Sequence, residues 1–162
     1  MIVHENEPIT LIGGAEITTQ TLNRARALAP NVVAADGGAD AALVNDLIPK
    51  AVIGDFDSLS DWARGQLPED SLHPIPEQDS TDFDKCLRNI AAPLVIGIGF
   101  SGARLDHQLA AYNSLVRHPH RRCILLGREE LVFLAPPELR LDLPEGCEIS
   151  LFPMGAVEGL SD

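Results

Sequence analysis

Asp55 and Asp57 stand two residues apart, just past the apolar run Ala51-Val52-Ile53 and a glycine, Gly54. In extended backbone, side chains at i and i+2 point to the same side. Two carboxylates held that way repel unless a proton or a cation sits between them, and a hard cation with oxygen ligands, Mg2+ first, answers that need. Gly54 would permit close backbone approach. The competing reading is a polar turn in which Asp57 or Ser58 caps a downstream element. A second cluster, Gln78-Asp79-Ser80-Thr81-Asp82-Phe83-Asp84-Lys85, packs three acids and a lysine into eight residues. Thr81 followed by Asp84 fits a capping box that opens a helix. Asp82 then lies in the first turn, where the helix dipole favours it, and it could still face Asp55 and Asp57. Lys85, one turn later, could offset these acids or reach a phosphate as a mobile positive charge.

Two further patterns could meet a nucleotide. Gly97-x-Gly99-x-x-Gly102 follows a strand pattern and precedes a helix pattern. Its form is that of a dinucleotide fingerprint, whose test is an acid at the end of the next strand to hold a ribose. That strand ends in Gly127-Arg128, with Glu129 and Glu130 coming late. Such glycines can equally let backbone approach a phosphate. Arg104-Leu105-Asp106-His107 opens the helix that follows, with Arg104 and His107 on one face. An Arg there suits phosphate, and Asp106 could hold a hydroxyl or a water. The plainer readings are a first-turn acid and a solvated histidine. His4, His73, His118 and His120 show no partner pattern, and Trp62 and Tyr112 read as packing residues. Neither a Gly-x-x-x-x-Gly-Lys-Ser/Thr phosphate loop nor a Gly-x-Ser-x-Gly elbow occurs.

The elements that must position these residues alternate. Strand patterns at Ile9–Ile12, Val32–Ala35, Ala51–Ile53, Leu94–Ile98 and Arg122–Leu126 are interleaved with helix patterns at Thr18–Leu28, Ala39–Asn45, Asp82–Ile90 and Arg104–Arg117. Residues 65–79 carry three prolines and read as loop. Short, continuous apolar strands separated by helices imply parallel βαβ units with both sheet faces covered. Ligands in such sheets bind beyond the carboxyl ends of the strands, where these polar clusters fall. After Gly127 the pattern changes to three strands, Glu130–Ala135, Glu138–Leu143 and Glu148–Phe152, with turns and no helix. That reads as the start of an antiparallel unit, and the chain as a fragment. The 24 acids outnumber the 12 Lys and Arg, for a formal charge of −12, which argues against a broad nucleic-acid surface. Apolar runs are too short to span a membrane, and the first residues lack signal-peptide blocks. A cytoplasmic protein is expected. Cys86, Cys123 and Cys147 form no Cys-x-x-Cys pair and read as buried thiols.

Taken in order, Asp36-Gly37-Gly38-Ala39, Gly54-Asp55-Phe56-Asp57-Ser58, Gln78 through Lys85, and Gly102-Ala103-Arg104-Leu105-Asp106-His107 closely resemble the thiamine pyrophosphokinase (thiamine diphosphokinase) family. The resemblance covers roughly residues 9 to 130 and, loosely, the β segment after them. It implies a Rossmann-like parallel α/β catalytic domain over residues 1–127. It also implies the start of a C-terminal antiparallel β-sandwich, a thiamine-binding domain, over residues 128–162. The implied assembly is a homodimer with active sites at the subunit interface; from the charge and short apolar runs, no nucleic-acid or membrane partner is expected. The implied reaction moves the pyrophosphoryl group of ATP to thiamine, giving thiamine diphosphate and AMP with Mg2+. Asp55, Asp57 and Asp82 match the family's Mg2+-binding acids. Asp36, Gly37, Gly38, Thr81, Lys85, Arg104 and His107 fall with the nucleotide, and Gln78 with thiamine. Asp57, Asp82, Arg104 and Asp106 are expected to serve catalysis, Asp106 by orienting or deprotonating the alcohol. The rival readings are a metal-dependent nucleotide-sugar glycosyltransferase, from the Asp-x-Asp form, and a non-catalytic nucleotide-binding module.

Overall fold

The computed structural model describes residues 1–102 and 104–159. In chain order its elements are β1 (Val3–His4), β2 (Ile9–Ile12), α1 (Thr19–Leu28), β3 (Asn31–Ala35), α2 (Gly38–Val44), β4 (Val52–Gly54) and α3 (Asp61–Gln66). A 3-10 turn (Glu69–Ser71) follows, then β5 (Leu72–Pro74), α4 (Asp82–Asn89), β6 (Ile90–Ala91), β7 (Val95–Ile98), α5 (Leu105–Arg117), β8 (Cys123–Leu126) and β9 (Leu131–Phe133). Seven strands form one sheet in the order β5-β4-β3-β2-β7-β8-β9. All its pairings are parallel except β8 with β9. β1 and β6 make a separate parallel pair.

The apolar strands lie inside because helices cover both faces. β2 and β7 are buried throughout, as continuous apolar runs in a doubly covered sheet should be. Alternate residues feed opposite faces. Leu11, Val33 and Ile53 pack with Phe83, Cys86 and Leu87 of α4 and with Ala111 and Leu115 of α5. Ile12, Val32, Ile96 and Ile98 pack with Leu22 and Ala25 of α1. Thr10 is the polar exception in β2, and its Oγ1 donates to the Ala29 carbonyl at 2.6 Å. From β2 the chain passes to β3 on one side, while β7 lies on the other. The strand order therefore reverses between β2 and β7, which opens a crevice above their carboxyl ends.

Several expectations change. The segment 65–79 is not all loop: α3 reaches into its start, and β5 adds an edge strand to β4. Pro74 ends that strand at the sheet margin, where a missing N–H removes no bond on the open side. Of the three strands expected after Gly127, only Leu131–Phe133 forms, and it turns back on β8 as the antiparallel edge of the main sheet. Residues 138–143 and 148–152 carry no strand, and Leu141, Ile149 and Phe152 are exposed. An alternating segment becomes a strand only when paired with a partner edge, and these segments pair with none among the described residues. Tyr112 packs on the core, whereas Trp62 lies half exposed. Cys86 and Cys123 are buried as expected, and Cys147 is exposed. Among the described residues, no helix is long and apolar enough to cross a membrane.

Candidate active site

The first two site segments are strand ends. β3 delivers Asp36 in a left-handed conformation (φ 42°), which is sparsely populated for a non-glycine residue and clusters at functional sites. Asp36 is 2 % exposed. Its Oδ2 accepts the Ser58 N–H at 3.1 Å, and its buried Oδ1 has no hydrogen-bond partner among the described residues. β4 ends at Gly54. A Cβ there would stand 2.8 Å from Asp36 Cβ and 3.1 Å from Asp82 Oδ1, so only glycine lets both acids close over the strand end.

Asp55 and Asp57 do converge, though by a different route from extended backbone. Phe56 between them is left-handed (φ 66°), and the resulting turn lets the Asp57 N–H donate to Asp55 Oδ1 at 3.4 Å. One carboxylate oxygen from each of Asp36, Asp55 and Asp57 lies within 4.8 Å of the others. Ser58 Oγ donates to Asp57 at 2.9 Å.

α4 supplies the remaining charges. Thr81 caps it, its Oγ1 accepting the Asp84 N–H at 3.3 Å. The expected box is only half made, because the buried Asp84 carboxylate turns away to Arg88, Arg117 and His118. His118 is thus a partnered residue, contrary to expectation. Lys85 is fully buried, and its Nζ donates to Asp55 Oδ2 at 2.8 Å and to Asp82 Oδ1 at 3.0 Å. It therefore offsets these two acids. Gln78 Nε2 adds a bond to Asp55 Oδ2 at 3.0 Å.

The electrostatics follow from this layout. The Lys85 bond leads in holding the Asp55 carboxyl below its usual range. Burial disfavours the Lys85 ammonium, but its bonds to Asp55 and Asp82 outweigh that and leave its pKa raised. Asp36 is pushed up to about 6, chiefly by burial and then by Asp57 and Asp82, against the Ser58 N–H. The Lys85 ammonium thus meets two of the four carboxylates directly, and Asp36 and Asp57 stand without a bonded cation among the described residues. An orphaned buried oxygen, a hard-oxygen donor set and unneutralised charge all fit a divalent cation.

Beside this cluster, a cleft of about 1180 Å³ runs along the crevice between the β2 and β7 ends. The two loops there touch backbone to backbone. Ala15 N–H donates to the Gly99 carbonyl at 3.0 Å, and Gly99 has φ 74° with a Cβ position 2.7 Å from the Gly13 carbonyl oxygen. Asp36, Gly37, Asp57, Gln78, Thr81, Asp82, Arg104 and His107 are among the residues that line it. Gly38 opens α2 against the Ile12 carbonyl. Arg104 and Asp106 form an exposed pair, Nη2 to Oδ2 at 2.6 Å. That bond holds Asp106 down to about 2 and raises Arg104. Ser101, Arg128 and Glu130 also line the cleft, and sequence reasoning did not choose them. The β8–β9 hairpin carries Glu130 back against Gly127, so an acid that comes late in sequence still reaches the cleft.

Fold and site together define a doubly wound α/β domain with an acidic, cation-competent cleft at its switch point. The model of the family described as "Thiamin pyrophosphokinase, catalytic domain" matches residues 22–126. Thiamine pyrophosphokinase 3 of Oryza sativa subsp. japonica is 30 % identical over 125 residues, 67 % of this chain and 47 % of the relative. Thiamine pyrophosphokinase 1 of Arabidopsis thaliana is 28 % identical over 131 residues, 70 % of this chain and 49 % of the relative. In fold, the chain is similar to thiamine pyrophosphokinase from Bacillus subtilis, with TM-score 0.60 and 20 % identity over 75 % of this chain and 61 % of that one. The yeast thiamin pyrophosphokinase gives TM-score 0.60 and 17 % identity over 75 % and 59 %. The chain belongs to the thiamin pyrophosphokinase catalytic-domain family. It spans about half the length of the curated relatives it matches.

Proposed function

We propose that the protein transfers the pyrophosphoryl group of ATP to thiamine, giving thiamine diphosphate and AMP. The observation that carries this is the carboxylate cluster at the cleft, with Asp36, Asp55 and Asp57 mutually within 4.8 Å in a chain of this family. We assign Asp55, Asp57 and Asp82 to Mg2+, with Asp36 the fourth acid beside them. ATP is a polyanion, so bare carboxylates would repel it. Bound Mg2+ supplies the opposite field and Lewis-acid polarisation of a phosphoryl oxygen. Lys85 holds Asp55 and Asp82 at hydrogen-bond distance, which favours a shared role for the two acids and against a glycosyltransferase that uses Asp55 and Asp57 alone.

Gly37, Gly38, Thr81, Arg104 and His107 are assigned to the nucleotide. Arg104 exchanges Asp106 for a phosphate, a charge worth about 3–4 kcal/mol when it acts only in the transition state. Asp106, thereby released, orients or deprotonates the alcohol, and Gln78 approaches thiamine. Residues 128–162 are assigned to the beginning of a β-sandwich thiamine-binding domain that follows the catalytic domain of residues 1–127. The working unit is a cytoplasmic homodimer with its sites at the subunit interface, without nucleic-acid or membrane partners.

The test is to incubate the protein with ATP, Mg2+ and thiamine and to identify the nucleotide released. AMP together with thiamine diphosphate supports the reading. ADP means ordinary phosphate transfer, and the absence of any thiamine-dependent product refutes it. Asp57→Asn should abolish turnover, and a fully active variant removes Asp57 from the metal set.

A further inference from the structure

One buried carboxylate lies outside the cluster. Asp84 sits on α4 between Asp82 and Lys85 and is 1 % exposed. Burying such a group is costly unless it is paired. His118 Nε2 meets its Oδ1 at 2.9 Å, Arg117 Nη1 lies 3.3 Å from the same oxygen, and Arg88 Nε lies 3.0 Å from Oδ2. Arg117 and His118 close the C-terminal end of α5. Arg88, in the last turn of α4, also reaches the loop before the helix. Its Nη2 donates to Ser80 Oγ at 3.2 Å and pairs with Glu77, and Ser80 Oγ donates to Glu77 at 2.5 Å. A single charged network thus joins the loop carrying Gln78, the helix carrying Asp82 and Lys85, and the end of α5.

The apolar face of α4, with Phe83, Cys86 and Leu87, presses the helix onto the sheet. Hydrophobic contact is non-directional, so it leaves the helix's rotation and axial position loosely defined. The ion pairs of Asp84 with Arg88 and Arg117 and its hydrogen bond with His118 are directional in charge and place, and define both. We propose that Asp84 is a positioning residue for the acidic cluster: with Arg88, Arg117 and His118 it sets the register of α4, and so the placement of Asp82 and Lys85 beside Asp55. This rests on the metal assignment made above. A metal site tolerates misplacement of its ligands by only about 0.5 Å, so a modest shift of α4 weakens it.

The test compares the protein with its Asp84→Asn, Arg117→Met and Arg117→Lys variants. The probe is Mn2+ alone, its free fraction read by electron paramagnetic resonance, alongside urea unfolding in chelator. Asp84→Asn should raise the Mn2+ Kd about tenfold, the low end for residues that orient ligands from behind. Arg117→Met should raise it less, and Arg117→Lys should restore most of the affinity. A lowered unfolding midpoint with unchanged Mn2+ affinity in both Asp84→Asn and Arg117→Met makes the network merely structural and overturns the proposal. Should Asp84→Asn fail to fold, the Met and Lys variants of the half-exposed Arg117 decide: equal Mn2+ affinities overturn the proposal, and a Met-specific loss upholds it. A protein that binds Mn2+ yet releases no AMP refutes the proposed reaction and leaves the positioning result standing.

Discussion

Lys85→Met removes the ammonium that bonds Asp55 and Asp82. Methionine keeps most of the stem's volume and removes the ammonium, so packing against α4 is largely preserved. The lysine side chain is 1 % exposed, its partner Asp55 12 % and Asp82 31 %. Breaking a buried pair by removing one partner costs about 3–5 kcal/mol, because the remaining charge is left uncompensated. Asp82 opens partly to the cleft, where water recovers some of that loss, so about 3 kcal/mol is expected. For a domain of this size each kcal/mol moves Tm by roughly 2–4 °C, which gives a drop of roughly 6–12 °C in chelator. Adding Asp55→Asn removes one of the stranded carboxylates. The double variant should therefore be at least about 1 kcal/mol more stable than the sum of the two single losses allows. Mg2+ should stabilise Lys85→Met more than it stabilises the parent, since the cation then replaces the missing charge. Thermal and urea unfolding with and without Mg2+ measure all of these quantities. A Tm within about 1 °C of the parent in chelator, or strict additivity of the two substitutions, refutes the reasoning.

Gly54→Ala places a methyl 2.8 Å from Asp36 Cβ and 3.1 Å from Asp82 Oδ1, an overpacking that costs about 1–3 kcal/mol and drives two acids apart. Its urea midpoint should fall and its Mn2+ affinity should be lost, and parental affinity would show that the strand end yields without moving the acids. Asp36 carries a pH prediction. With its folded pKa raised from about 3.8 to about 6, the folded protein retains a proton that the unfolded chain has released across that window. In chelator, the parent should therefore lose stability relative to Asp36→Asn as pH rises from about 4 to 6, by up to about 3 kcal/mol, and hold level above that. Urea midpoints at pH 4.5 and 7 decide the point, and a parent-minus-variant difference that stays level or rises with pH refutes it.

The parallel fold was legible because its signals are local. Runs such as Ile9–Ile12 and Val95–Ile98 are apolar but for Thr10 and are buried throughout, and the capping box at Thr81 marks where one of the helices between them begins. What escaped is structure made by neighbours. β5 exists because β4 offers an edge, despite the surrounding prolines. The segment 138–152 has strand-like alternation but pairs with no strand among the described residues. The alternation of a chain can propose a strand, but hydrogen bonds to a second strand make one.

The site divides along the same line. Asp55 and Asp57 could be chosen because a strand end and two acids are features of adjacent residues. The left-handed turn at Phe56 that joins them, and the left-handed Asp36, leave no mark in residue type. Lys85 could be chosen as a charge, yet its burial across Asp55 and Asp82 depends on α4 lying over the end of β4. Asp82 is the instructive case, since its position admits both a helix-start role and a cluster role. The two are not rivals in the structure. The Thr81 cap fixes where α4 begins, which puts Asp82 in its first turn. That start also puts Lys85 one turn on, where a single ammonium reaches back to Asp82 and across to Asp55. The capping that explains the helix is therefore the means by which Asp82 joins Asp36, Asp55 and Asp57.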